Sequence, residues 1–224
     1  MPGRAPADGP APWSFERAAC HADLDALEEL LTSKAELSER RDVLRFFTEH
    51  PHLSAFLGSY HPNATAYDRL GVEVELFGQF TADVIAGDKT SQAYALLEFE
   101  DGRANSMFVR RGRQTSEWAQ RFEHAFGQII DWLWLLDDQQ HTLAFEEKFG
   151  PRPISIVAVV VAGRDSGVSM VDRRRLRWRE EHVVVNSHHI YCNTYDDLLR
   201  ILRRRLNAGG SQWLVPPPNN HPIR

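Results

Sequence analysis

The chain has 224 residues, 42% of them apolar and 25% charged, with a formal net charge of −5 and two cysteines, Cys20 and Cys192. That length and balance fit one well-buried globular domain; two distant cysteines argue against a disulfide framework, and the acidic balance argues against a uniformly basic surface. The longest apolar run, Ile154 to Ala162, is far short of the ~20 residues that span a bilayer, and Met1-Pro2-Gly3-Arg4 opens no apolar leader, so a cytoplasmic protein with no membrane segment is expected.

In chain order, residues 1–13 are rich in Pro, Ala and Gly and read as a disordered tail ahead of a single domain over 14–207. A helical lead-in spans 21–57. Leu24, Leu27, Leu30 and Leu31 share an apolar face that predicts a helix from Asp23 to Leu31, and Val43, Leu44, Phe46 and Phe47 predict another from Glu36 to Thr48, stopped by Pro51. The core is expected over 70–206. Val72-Glu73-Val74-Glu75-Leu76 alternates as a strand, Gly78-Gln79 turns, and Phe80 to Ile85 returns as a second strand. Gln92 to Glu100 makes a third. The stripe Trp118, Phe122, Ala125, Ile129 and Leu133 predicts a long helix from about Ser116 to Leu136, and the β-branched run Ile154 to Ala162 a strand buried on both faces. A basic segment from Asp172 to Arg179, a strand over Val183–Val185 and an amphipathic helix from Tyr195 to Leu206 follow. Gly209-Gly210 ends the domain, and residues 208–224, with Pro216-Pro217-Pro218, form a tail suited to docking on a partner.

The most telling stretch is Leu96-Leu97-Glu98-Phe99-Glu100, where two carboxylates two residues apart share one face of a strand. If the second and third strands pair across Gly87-Asp88-Lys89-Thr90, Asp83 joins them at one end of a small sheet. Carboxylates so close repel unless protons or a cation neutralise them, and hard oxygens suit Mg²⁺ or Mn²⁺. Asp83 alone could equally cap a turn. Arginine clusters at Arg110-Arg111-x-Arg113, Arg173-Arg174-Arg175-x-Arg177-x-Arg179 and Arg203-Arg204-Arg205 offer phosphate contacts or are simply solvated helix faces; lysine is confined to Lys34, Lys89 and Lys148. His188-His189 near Cys192 matches no tetrahedral zinc signature, and the chain carries no Gly-rich phosphate loop, so no nucleotide cofactor is expected.

Asp83, then Glu98-x-Glu100, then a helix carrying Ala125-x-x-Gln128-x-x-Asp131-Trp132, resembles the nuclease domain of the Shedu anti-phage defence proteins, a branch of the PD-(D/E)XK nuclease superfamily. Leu44 to Pro51 looks like that domain's opening helix, and Val161-Ala162-Gly163-Arg164 with Thr194-Tyr195-Asp196-Asp197-Leu198-Leu199 look like its closing motifs. The resemblance spans roughly residues 40 to 206 and rests on order and spacing together. It implies an α/β (α+β) core with a central mixed sheet flanked by helices, and a Mg²⁺- or Mn²⁺-dependent DNA endonuclease with a DNA partner, working as a homo-oligomer. It also implies metal ligation by Asp83, Glu98 and Glu100, with Gln128 as an active-site polar group; Asp131 and Trp132 would orient and pack the helix. The superfamily usually adds an acid from its first core helix, for which Glu39 and Glu49 are the candidates. Where most of the superfamily has Lys, this chain has Glu100, which could be a second ligand, a water-orienting base or an exposed strand end. The rival expectation is a nuclease fold that binds nucleic acid or a partner without cutting it. Glu73 and Glu75 share a face of the first strand, taken as outward and solvated.

Overall fold

The computed structural model describes residues 7–112, 115–151 and 153–208. Its lead-in is helical: strand β1 (Ala11–Pro12), helix α1 (Arg17–Ser33), a π-helical stretch Glu39–Leu44 running into α2 (Arg45–Glu49), then α3 (Pro51–Phe56). The first predicted helix starts six residues earlier than its apolar stripe, at Arg17 rather than Asp23. Pro51 does interrupt the second, and it also opens α3 at the first helical position, where its missing N–H costs nothing.

Three strands follow as a meander: β2 (Arg69–Leu76), β3 (Phe80–Asp88) and β4 (Ala93–Phe99), each antiparallel to the last. A small ladder of β5 (Phe108–Val109) and β6 (Glu117–Trp118) leads into α4 (Gln120–Gln139), and α5 (Leu143–Phe149), which no pattern had announced, turns the chain into β7 (Ser155–Val161). Helix α6 (Met170–His182) takes the place of the basic segment; β8 (Val184–Val185), β9 (His188–Asn193) and α7 (Tyr195–Asn207) complete the fold. The result is a seven-stranded mixed sheet in the order β1-β2-β3-β4-β7-β9-β8, with β4, β7 and β9 parallel at its centre. This is the mixed α/β architecture the sequence implied.

Both faces of the sheet are covered. On one, Leu97, Phe99 and Val159 pack under α1, α2, α3 and α7 through Leu24, Phe47, Leu53 and Leu198; on the other, Leu96, Tyr94 and Val160 pack under α4 to α6 through Phe122, Trp132, Phe149 and Leu176. Double coverage explains why β4 and β7 read as continuous apolar runs instead of alternating. Residues 7–13 correct the expected disordered tail: Ala7 N–H donates to Glu73 O at 2.8 Å, Glu75 N–H donates to Ala7 O at 2.9 Å, and Ala11 and Pro12 pair with Leu70 and Arg69. Residues 1–6 and the Pro-rich tail over 209–224 lie outside the described residues. Among the described residues no helix is long and apolar enough to cross a membrane.

Candidate metal centre in an acidic cleft

The site starts with a fault in the β2–β3 ladder. Pairing runs from Arg69↔Gly87 to Val72↔Val84, skips Glu73 and Asp83, and resumes at Val74↔Ala82. Glu73 is held at φ 50°, the left-handed region that side chains with a Cβ rarely occupy. Across the fault the strands exchange faces: Leu70, Val72, Val84 and Ala86 belong to the α1/α7 core, whereas Val74, Leu76 and Ala82 belong to the α4 core. Strict alternation, on which the sequence reading rested, therefore fails at this one position.

The ladder between β3 and β4 ends at the same level. Its last pair is Val84↔Leu97, after which Phe99 N–H donates to the Asp83 carboxylate (Oδ2) at 2.7 Å instead of to a backbone carbonyl. The strands thus part just where Asp83 and Glu98 stand, while β4 stays paired with β7 through Glu98↔Val160 and Phe99↔Val161. A cleft of about 600 Å³ opens there, lined by Asp83, Glu98, Glu100 and Gln128, the four residues singled out in the sequence, together with Glu39 and His124.

Each wall has a local cause. Glu100 lies one residue beyond β4; its N–H donates to Val161 O at 2.9 Å and its carbonyl accepts from the Tyr195 hydroxyl at 2.6 Å. Asp101 O accepts from Gly163 N–H at 3.0 Å, and Gly163 sits at φ 72°, so the Val161-Ala162-Gly163-Arg164 motif anchors the 100–102 loop. Glu39 is brought in by the lead-in: Leu37 and Gly102 exchange backbone hydrogen bonds, and Glu39 N–H donates to Asp101 Oδ1 at 2.9 Å. A Cβ at residue 102 would stand 3.0 Å from both Leu37 and Tyr195, so that close approach depends on glycine. Glu49 instead points outward and pairs with Arg45 at 2.9 Å. Of the two lead-in acids, only Glu39 reaches the cleft.

The electrostatics are those of a crowded acid. Burial first, then the charges of Glu39, Glu73 and Glu100, raise the Asp83 carboxyl well above the ordinary range, against the lowering effect of the Phe99 N–H. Burial, then Asp83, Glu39 and Glu100, raise Glu98 still further, and Glu98 shares a side-chain hydrogen bond with Asp83 that only a protonated carboxyl can donate. Burial and Glu39 also raise Glu100, with Arg121 opposing. Glu100 is only 6% exposed, yet its Oε2 has no hydrogen-bond partner; the nearest cation is Arg121 Nη1 at 3.6 Å. Hard oxygens, buried and crowded by one another's charge, suit a divalent cation. Among the described residues, however, no trio of His, Cys, Asp or Glu side chains is already arranged as a cage.

Other candidates go elsewhere. Glu73 and Glu75 are exposed, as expected of an outward face, but they line the mouth of this cleft. Asp131 is exposed, and Trp132 is fully buried in the α4 core. His188 Nδ1 and His189 Nδ1 bond separate backbone carbonyls, of Ile156 and Glu180, and Cys192 is buried, so these three form no common site. The arginine clusters are largely occupied: Arg173 binds Asp165 and Asp197, Arg179 binds Glu123 and stacks 3.8 Å over the Phe126 ring, Arg203 binds Asp25 and Glu28, and Arg205 lies 4.5 Å over Tyr60. Arg113 lies outside the described residues. Sequence reasoning missed His124 and Arg121; a signal was present, because they stand four and seven residues before Gln128 on the same helical stripe.

Residues 36–199 match the family model described as Shedu protein SduA, C-terminal. The match takes in most of the chain, which therefore belongs to the Shedu SduA family, and membership implies a protein of anti-phage defence. No curated protein matches the chain.

Proposed function

We propose that this Shedu family chain is a metal-dependent DNA endonuclease with a core of the PD-(D/E)XK type, hydrolysing phosphodiester bonds in anti-phage defence. The observation that carries the reading is the parting of β3 and β4, which leaves Asp83 and Glu98 in contact in an acidic cleft with Glu100 buried beside them, its Oε2 without a hydrogen-bond partner. Asp83 and Glu98 are the residues that would hold Mg²⁺ or Mn²⁺, with Glu100 as the third oxygen donor. A bound ion would polarise the phosphate and make hydroxide available at neutral pH.

The chain's own groups then have distinct tasks. Asp83 and Glu98 would have to give up their shared proton to hold a cation, so affinity for metal should rise with pH. The Phe99 N–H, a donor fixed in the backbone, holds one oxygen of the Asp83 carboxylate in place. Gln128, on the facing helix, offers an amide that both donates and accepts, fitted to a water or a phosphate oxygen. The choice of DNA over RNA rests on the family.

A second reading, a non-cutting nucleic-acid or partner-binding protein on the same fold, draws on the absence of a ready cage among the described residues and on Glu100. Cleavage assays separate the two. Purified protein should cut DNA with Mg²⁺ or Mn²⁺ and not in EDTA, and Asp83→Ala or Glu98→Ala should reduce cutting to background with the fold intact. Wild-type protein inert on duplex, nicked, branched and single-stranded DNA with both metals would favour the second reading.

A further inference from the structure

We infer that Arg121, in the first turn of α4, is the catalytic cation of this cleft, placing its guanidinium on the phosphate that is cut; this rests on the nuclease reading above. The argument is one of charge. Six carboxyl residues line the cleft, Glu39, Glu73, Glu75, Asp83, Glu98 and Glu100, against Arg40 and His124 as the only basic groups in its wall among the described residues. A divalent ion offsets two of those charges, and the remainder repels a phosphodiester. The site therefore needs a second positive group close enough to the acids to meet the reacting phosphate.

Arg121 is placed for this. Its Nη1 stands 3.6 Å from Glu100 Oε2 and 3.2 Å from Asp101 Oδ2, beside the Glu100 end of the acidic row, just outside the residues that line the cleft and one turn of α4 before His124. Asp101 also receives the Glu39 N–H at 2.9 Å, so the guanidinium sits on the loop that orders the acids. Its side chain is 55% exposed, which leaves donors of its planar fork turned outward, and that fork matches two phosphate oxygens. Arg40 is exposed on the lead-in wall and suits steering of the substrate. Arg121, held against Glu100, is therefore the group assigned to the reaction, and Arg40, beside Glu39, the one that attracts the substrate.

The test compares wild type with Arg121→Ala, Arg121→Lys and Arg40→Ala on one DNA substrate, recording kcat and KM at saturating Mg²⁺, Mn²⁺ affinity by calorimetry, and melting temperature. Arg121→Ala should lose roughly 10²-fold or more in kcat. Its Mn²⁺ affinity should be unchanged or tighter, because a cation competing for Glu100 is gone, and Arg121→Lys should recover part of the rate. Arg40→Ala should act mainly on KM. Arg121→Ala cutting at the wild-type rate would overturn the inference while leaving the nuclease reading standing. So would a loss restored by more Mg²⁺, or one that follows the melting temperature in both Arg121 variants, since each marks a structural role. A wild-type protein that never cuts removes both.

Discussion

Two groups of carboxylates in this molecule are built from the same residue types and behave oppositely. In the cleft, Asp83, Glu98 and Glu100 face one another and are pushed up out of the ordinary acid range by burial and mutual charge. Beyond the C-terminal ends of β7 and β9, Asp165 and Asp172 also sit among charged and polar groups but are held below it. Asp165 meets Arg173 at 2.6 Å, Arg200 at 2.8 Å and the Thr194 hydroxyl at 2.6 Å; Asp172, 3% exposed, takes hydrogen bonds from Ser116, Ser169 and Arg175. The difference is supply of donors. An acid surrounded by arginines and hydroxyls is bonded into the fold, whereas an acid surrounded by acids is kept at a cost that some ligand must repay.

The contrast is broken most directly by removing one acid from each group. Asp172→Ala leaves the Ser116 and Ser169 hydroxyls without their acceptor and takes one acceptor from Arg175, and should cost about 2–4 kcal/mol in chemical denaturation. Asp83→Asn, measured without metal, should leave stability unchanged or raise it, because one repelling charge is gone. Equal destabilisation by both would show that the cleft acids are structural after all.

The pH dependence sharpens it, with smaller effects. For Asp83 and Glu98 the folded protein holds protons that the unfolded chain has released above about pH 4, so their contribution to stability falls as pH rises through neutrality. For Asp165 and Asp172 the order is reversed: they stabilise above the ordinary carboxylate range, and that stability is lost as pH falls below it. Melting curves in EDTA should give a wild-type minus Asp83→Asn difference that declines toward alkali, and a wild-type minus Asp172→Asn difference that collapses toward acid. Parallel curves would contradict the opposite settings of the two groups.

The smallest expected effect separates the lead-in acids. Glu39→Ala should weaken cleavage by relieving charge in the cleft and altering metal affinity, while Glu49→Ala should change neither cleavage nor melting temperature. A cleavage defect confined to Glu49→Ala would reverse the assignment.

Much of this was legible from local pattern. The meander over residues 70–100, the helix under Gln128, the buried strand Ser155–Val161 and the helix after Thr194 follow from apolar periodicity and turn residues, because each is covered by apolar neighbours that the pattern records. The cleft was legible as a spacing, 83, 98 and 100, which already set three acids on adjacent strands. Its depth was not. Val72-Glu73-Val74-Glu75-Leu76 reads as uniform alternation, and nothing in those letters announces that Glu73 turns left-handed and exchanges the faces of two strands. Helix α5 was missed because Leu143-Ala-Phe-Glu-Glu-Lys-Phe149 is too short for periodicity to stand out, and it is held by packing of Phe145 and Phe149. Residues 7–13 looked like a tail because Pro and Gly mark disorder in isolation, yet Pro is also at home in an edge strand, where its missing N–H faces away from the ladder.

The left-handed Glu73 has one more implication, for anyone who would make this protein hardier. A residue in that conformation is what a search for stabilising substitutions removes first, and glycine there would relax the backbone by about 1 kcal/mol. Straightening the strand by stronger means would let β2 and β3 zip continuously, and the divergence that parts Asp83 from the ladder would close. Heat resistance gained by straightening β2 would therefore compete with an open cleft, whereas glycine at residue 73 would relieve the strain and keep the divergence.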